Sequence, residues 1–460
     1  MSGPQQRLLL SGDTGKRLSY IEATATVATD VEVQLGSDER EPPTDRRSLT
    51  AYLSAYSLSM LGDRFGELAL PLVILAATRN PAAAGAVGAS IQAPTLLLAL
   101  WLGRRVDRHS RRFLLLSADL GRAACFAVFA WLAASSISVV WPFVVVGLVV
   151  GTANSLHSIA GSAILPEIAQ GQGLVRANAL TEAGDAVTTV AGPAIAGAVI
   201  SKVNAAAALA VDAVTFLGSA ILLLRVRVPG RSDPGRTAEE LAEPAEPAEP
   251  VSLLSPLRHV LRDPVQRAVQ VGLSTLSAHG AAVVLAIIVL ANSELHLSPA
   301  RLGLVLGAAG IGGLAASAVA TRWPAPFATV SGIGMLLWLS AGFAAVLAWS
   351  NGFWWALIAN GLLDGAITGA FIATAVVRQQ YTPVAMLGRI SAASLVYNGV
   401  ARLLGVGGIG LLLSGFDGRT ALMVDSALLA VAAGCTSWSA RHRVEDNPRR
   451  VAQHSEGRDA

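Results

Sequence analysis

Twelve apolar runs, each close to the length of a membrane-crossing helix, limit what this chain can fold into. They lie near residues 50–77, 84–102, 113–134, 139–162, 180–201 and 205–224, then near 266–291, 301–321, 327–349, 353–376, 391–414 and 419–439. A helix needs about 20 apolar residues to cross the hydrocarbon of a bilayer. Within that layer only helices and closed barrels satisfy every backbone N–H and C=O. Runs this long predict an all-α membrane protein with twelve transmembrane helices in two six-helix bundles. Composition agrees, because only 14% of residues are charged, against about 25% in soluble domains. The 45 glycines suit helices that pack closely through small residues in lipid.

A polar stretch at 225–264 separates the two sets of six. It holds Ala-Glu-Pro three times between Ala242 and Pro250, a pattern that neither spans a membrane nor builds a core and predicts a solvated linker. The expected organisation is a disordered tail at 1–48, one bundle at 49–224, the linker, a second bundle at 265–440 and a tail at 441–460. The basic residues orient these parts. Alternate connections hold Arg104, Arg105, Arg108, Arg111, Arg112, Arg176, the cluster Arg225 to Arg262, Arg322, Arg378 and Arg389, whereas the others hold only Arg79, Lys202, Arg301 and Arg419. By the positive-inside rule both termini face the cytoplasm. Segments 6 and 12 also open alike, Ala208 to Ala213 matching Ala421 to Ser426 with Asp212 and Asp425 at one depth, as two fused halves would leave behind.

Several functions find no support in the residues. Cys125 and Cys435 lie inside apolar runs and give neither a disulfide framework nor metal spacing. No nucleotide-binding glycine loop or zinc-binding His-Glu pattern occurs. The formal charge of +3 comes from arginines at helix ends, which serve orientation, so no nucleic-acid partner is expected. The first apolar cluster, Leu8–Leu10, is too short for a signal peptide.

The connection between segments 2 and 3, Gly103 to Arg112, reads Gly-Arg-Arg-Val-Asp-Arg-His-Ser-Arg-Arg. With twelve spans split six and six, it resembles the signature of the major facilitator superfamily through Gly103, Asp107, Arg108, Arg111 and Arg112, with Ser110 where that family usually has glycine. Leu61-Gly62-Asp63, Leu165-Pro166-Glu167, Ala177 to Leu180, Thr382-Pro383 and Leu387-Gly388-Arg389 are similar to its drug and siderophore exporter branch, which includes macrolide-efflux and enterobactin-exporter-like proteins. Gly192, Pro193 and Gly197 in segment 5 resemble part of that family's antiporter motif. The resemblance implies a monomeric secondary transporter in the bacterial cytoplasmic membrane, without a cofactor, using the proton gradient to export small amphiphilic molecules. It also implies that the Gly103–Arg112 hairpin gates the cytoplasmic side by contacting the first-half helices and the start of segment 11, where Asp107 would hold an arginine or the helix N-terminus near Arg389–Ser391. The second half carries no clear copy, since the corresponding loop reads Thr321 to Pro326, so such a gate is one-sided.

A charge in the middle of a span costs about 2.5–3.5 kcal/mol on insertion scales, so each is a functional candidate. Segment 1 carries Asp63, Arg64 and Glu67, the two acids one turn apart, with Arg64 placed to neutralise Glu67 in part. Asp364 in segment 10 and His279 in segment 7 also fall near mid-depth. The resemblance implies that segments 1, 4, 7 and 10 line a central cavity, to which segment 4 would add Asn154 and His157. Asp63, Glu67, Asp364 and His279 are therefore the candidates for proton or substrate coupling. Arg402 in segment 11 joins them, having no acid nearby in sequence and requiring a partner from another helix or an anionic substrate. Asp119 and Arg122 are three apart and can pair with each other, while Glu182 and Asp185 are placed near the cytoplasmic end of segment 5. Direction of transport is not written in these residues, and an uptake symporter stays open; a lipid scramblase or a membrane-embedded enzyme fits less well.

Overall fold

A computed structural model describes residues 46–443 except 109, 136, 138, 170, 228–253 and 383. The Ala-Glu-Pro repeats and most of both tails lie outside the described residues. Twelve long helices are present among those described: α1 (Arg46–Thr78), α2 (Pro81–Arg108), α3 (Arg111–Ala134), α4 (Trp141–Ile168), α5 (Gly171–Lys202) and α6 (Ala205–Leu223), then, after a short α7 (Leu254–Arg262), α8 (Pro264–Val289), α9 (Pro299–Arg322), α10 (Val330–Ala348), α11 (Phe353–Tyr381), α12 (Val384–Gly415) and α13 (Gly418–Arg443). Ten are long and apolar enough to cross a membrane by length and composition. In α1, Asp63, Arg64 and Glu67 interrupt the apolar run mid-helix. Exposed Trp131, Trp141, Trp323, Trp349, Trp354, Trp355 and Trp438 cluster at helix ends, where the amphipathic indole suits the membrane–water boundary.

The sequence places the breaks through capping residues. Asn204 accepts from the Ala207 amide at 2.7 Å, Asp263 from Gln266 at 2.8 Å, and Thr329 from Gly332 at 3.0 Å. Each satisfies one of the N–H groups that a helix start leaves without an intrahelical partner. Pro264 and Pro299 follow their caps at the first helical position, where the missing N–H costs nothing.

The helices overrun the apolar runs that announce them. α4 continues to Ile168 and α5 starts at Gly171, so the expected loop between residues 162 and 180 is mostly helix. The expected linker also contains a structured piece. Val260 of α7 is buried against Ile390 and Ala393 of α12, and the Tyr397 hydroxyl donates to the Leu257 carbonyl at 3.1 Å. Leu257 and Val260 are three apart, so one short turn of helix buries both.

Within the first half, α1 packs on α5 and α6, α3 on α4 and α6, and α2 on α4. Within the second, α8 packs on α12 and α13, α9 on α11, and α10 on α11 and α13. The halves meet along two seams, α5 with α9 and α2 with α12. Both seams close backbone to backbone toward the face away from the chain ends. A methyl added to Gly85 would sit 2.7 Å from the Gly410 Cα, and one on Gly303 would sit 3.2 Å from the Gly197 Cα.

Candidate functional site

The charges of α1 divide between two neighbourhoods. Arg64 donates to Glu67 at 3.0 Å on its own helix and reaches Asp185 at 3.2 Å and Thr189 at 2.8 Å on α5. That approach is possible because Gly192 lacks a side chain; a Cβ there would meet the Arg64 Cβ at 2.5 Å. Glu67 and Asp185 remain about half open, their side chains 52% and 41% exposed. Asp63 instead turns toward α3, where its carboxylate lies 3.5 Å from Arg122.

Arg122 is the hub of the first half and only 1% exposed. It pairs with Asp119, donates to the Ser59 hydroxyl at 2.9 Å, and lies 2.8 Å from His157 Nδ1 and 4.3 Å from the centre of the Phe216 ring. Asp119 also takes a hydrogen bond from Ser219 at 2.6 Å and lies 2.9 Å from His157. A buried ion pair is stabilised when its remaining donors and acceptors are also satisfied, and four helices supply partners here for all but the Arg122 Nε. His157 is thus enclosed in this network rather than open to a cavity. Asn154, on the same helix, has its Oδ1 buried without a hydrogen bond among the described residues.

The second half is built differently. His279 is buried, its Nδ1 2.7 Å from Asp425 of α13, which withdraws it from the space between the halves. Asp212, the counterpart of Asp425 in the repeat, is fully buried, its carboxylate lying over Gly62 and Gly66. Asp364 has no ion pair among the described residues. Its carboxylate lies against Gly313 of α9, 3.5 Å from the Thr368 hydroxyl.

Arg402 sits on a stripe of α12 whose direction its neighbours define. Asn398 and Gly405 contact α8, while Gly399 and Val406 contact α2. At about 100° per residue Leu395, Arg402 and Ile409 project between those two directions, toward the interior. Leu395 is 73% exposed and Arg402 is exposed, but Ile409 is only 6% exposed. The space between the halves is therefore open on the face that carries the chain ends and closed at the other.

The basic connection between α2 and α3 is anchored to its own half. Arg111 pairs with Glu167 at the end of α4, and Arg112 donates to the Leu223 carbonyl at 3.0 Å and to the Leu224 carbonyl, both at the end of α6. Ser110 accepts from the Phe113 amide at 3.2 Å and so caps α3. The backbone of Gly103, Asp107 and Arg108 is helical; their side chains lie outside the described residues. Pro193 and Gly197 lie in the α5–α9 seam, the Pro193 carbonyl carbon 3.0 Å from where a Gly303 Cβ would stand.

Two participants escaped the sequence reading, the hub role of Arg122 and the ligation of Arg64 by Asp185. The second was recoverable, because with α5 starting at Gly171 Asp185 lies near mid-helix rather than at an end.

Residues 52–405 match the profile of the Major Facilitator Superfamily. The chain belongs to that superfamily. It is accordingly a multi-pass membrane transporter and not an enzyme. It is 25% identical over 403 residues to an uncharacterized MFS-type transporter, y4rN, of Sinorhizobium fredii, covering 85% of this chain and 94% of that one. A shorter match, 26% identical over 132 residues, covers 29% of this chain and 41% of macrolide efflux protein A of Enterococcus faecalis. Among solved structures, an inward-facing, occupied bacterial homologue of the human lysosomal transporter Spinster shares the fold, with a TM-score of 0.66, 15% identity and coverage of 89% of this chain and 100% of that one.

Proposed function

We propose that this transporter is a monomeric, proton-coupled exporter of small amphiphilic molecules, working by alternating access in the bacterial cytoplasmic membrane with both termini in the cytoplasm. The observation that carries the reading is Asp364, a half-buried mid-helix carboxylate against α9 with no ion-pair partner among the described residues. Desolvation and neighbouring cations together decide whether a carboxylate holds its proton. A carboxylate with no fixed cation partner changes its solvation and its charged neighbours as the halves move, which couples protonation to the conformational cycle. Glu67, beside Arg64, and Asp63, 27% exposed at the edge of the Arg122 network, are the further coupling candidates. The likeness to macrolide efflux protein A supports the outward direction and the drug and siderophore exporter branch.

On this reading the space opens to the cytoplasm in the state seen here. Asp107, with Gly103 and Arg108, closes that side when the halves rock, through the N-terminal end of α12. Asp107→Asn should lower transport while leaving topology unchanged; full activity would reject the gate. The central test is efflux of an amphiphilic dye from cells with and without a protonophore. Export should stop when the gradient collapses, and export that persists undiminished would remove proton coupling.

A further inference from the structure

We propose that the transported molecule carries an anionic group, a carboxylate or a phosphate, and that Arg402 and Asn398 hold it during passage. The inference rests on the transport reading above and adds the substrate's charge to it.

Arg402 lies 18 residues into α12 and 13 before its end at Gly415. At about 1.5 Å per residue it stands roughly 20 Å or more from either end of the helix, beyond the reach of an arginine that snorkels to the membrane surface. No hydrogen bond or ion pair satisfies it among the described residues. Its stripe points between α8 and α2 rather than toward lipid, where the exposed Val400, Leu404 and Leu411 project instead. A guanidinium at mid-depth with no protein partner implies a partner that arrives from solution.

A second observation identifies the same spot as a donor site. One turn below Arg402, the Asn398 carbonyl oxygen accepts from Gln270 at 2.9 Å and from Ser274 at 3.4 Å, both on α8. Those bonds use the acceptor of Asn398, and its N–H2 group has no hydrogen bond among the described residues. Gln270 also donates to the Ser274 hydroxyl at 2.9 Å, which holds the cluster in place. An anion between Arg402 and Asn398 would meet donors only, the requirement for a charge-assisted, bidentate contact. On the next turn toward the opening, Leu395 gives an apolar surface that is 73% exposed. Cation, amide donor and apolar surface in that order match an amphiphilic anion with its charged group innermost. The acids of the interior lie elsewhere: Glu67 and Asp185 are held by Arg64 along the α1–α5 wall, and Asp364 faces α9.

The test uses the full-length protein in detergent or nanodiscs and three probes with one apolar body: dansyl-aminoundecanoic acid, its neutral carboxamide, and a dansyl alkylamine of similar length. Wild type should bind the carboxylate most tightly. Arg402→Gln should weaken that binding by about tenfold or more, the loss expected for one charge-assisted pair, and leave the carboxamide unchanged. Arg402→Lys should restore part of the carboxylate affinity, and Asn398→Ala should weaken it by a smaller factor. Melting profiles matched to wild type ensure that binding, not folding, is read. Equal weakening of the acid and the amide in Arg402→Gln, unchanged acid binding, a wild-type preference for the amine, or no binding of any probe would each overturn the proposal. Because binding is measured without a gradient, it stands apart from the protonophore test: an anion site with gradient-independent export would retain this inference and reject proton coupling.

Discussion

In the first half, side chains from α1, α3, α4 and α6 converge on Arg122, and each charge there has a partner within 3.5 Å. In the second half, His279 and Asp425 satisfy each other at 2.7 Å, while Asp364 and Arg402 have no ion pair among the described residues. The pseudo-repeat has thus been specialised. A closed network resists rearrangement, because removing one member strands the others in a medium that solvates charge poorly. Unpartnered charges cost stability in the free protein but stay available to a proton or a ligand. The Arg122 network of the first half holds its charges for rigidity, with Arg64, Glu67 and Asp185 as its open margin and Asp212 buried beside it without an ion pair among the described residues, while Asp364 and Arg402 of the second half stay available for exchange.

That contrast can be tested at several strengths. The largest effect belongs to Arg122→Ala, which strands Asp119 and Asp63 and should cost about 3–5 kcal/mol. Purified protein should show a much lower melting temperature and membranes a much lower yield, whereas unchanged melting would break the comparison. Asp364→Asn should do the reverse, keeping yield and melting near wild type and lowering gradient-driven export by about tenfold or more, about 1.4 kcal/mol of barrier. Loss of folded protein in that variant would mean that Asp364 is structural, like the first-half acids. Ser110→Ala should have the smallest effect, about 1 kcal/mol of stability through the lost helix cap, with transport per folded molecule unchanged.

Much of this architecture is legible in the chain. The twelve long helices follow from long apolar runs, which need no knowledge of neighbours, and Asn204, Asp263 and Thr329 mark helix starts by residue type alone. The Asp119–Arg122 and Arg64–Glu67 pairs were also visible, because helical spacing brings residues three apart together. The Arg122 hub was not, since Ser59, His157, Phe216 and Ser219 come from separate helices whose packing and rotation one sequence does not specify. For the same reason His279, placed at the right depth by its position, faces Asp425 instead of the central space. Depth is one-dimensional information and survives in the chain; azimuth depends on which helices become neighbours. α7 was missed because nine residues leave too little periodicity to separate a helix from a linker.

The seams between the halves carry a mechanical consequence. Where Gly85 lies over Gly410 and Gly197 over Gly303, the helices touch by bare backbone, with no side-chain knobs to lift out of holes before one surface can roll on the other. Such contacts act as bearings: they hold the axis of motion while offering little friction to rotation about it. A bulky residue at any of the four positions would wedge the bearing apart and shift the resting angle of the whole molecule, although none of the four touches the charges that select the cargo.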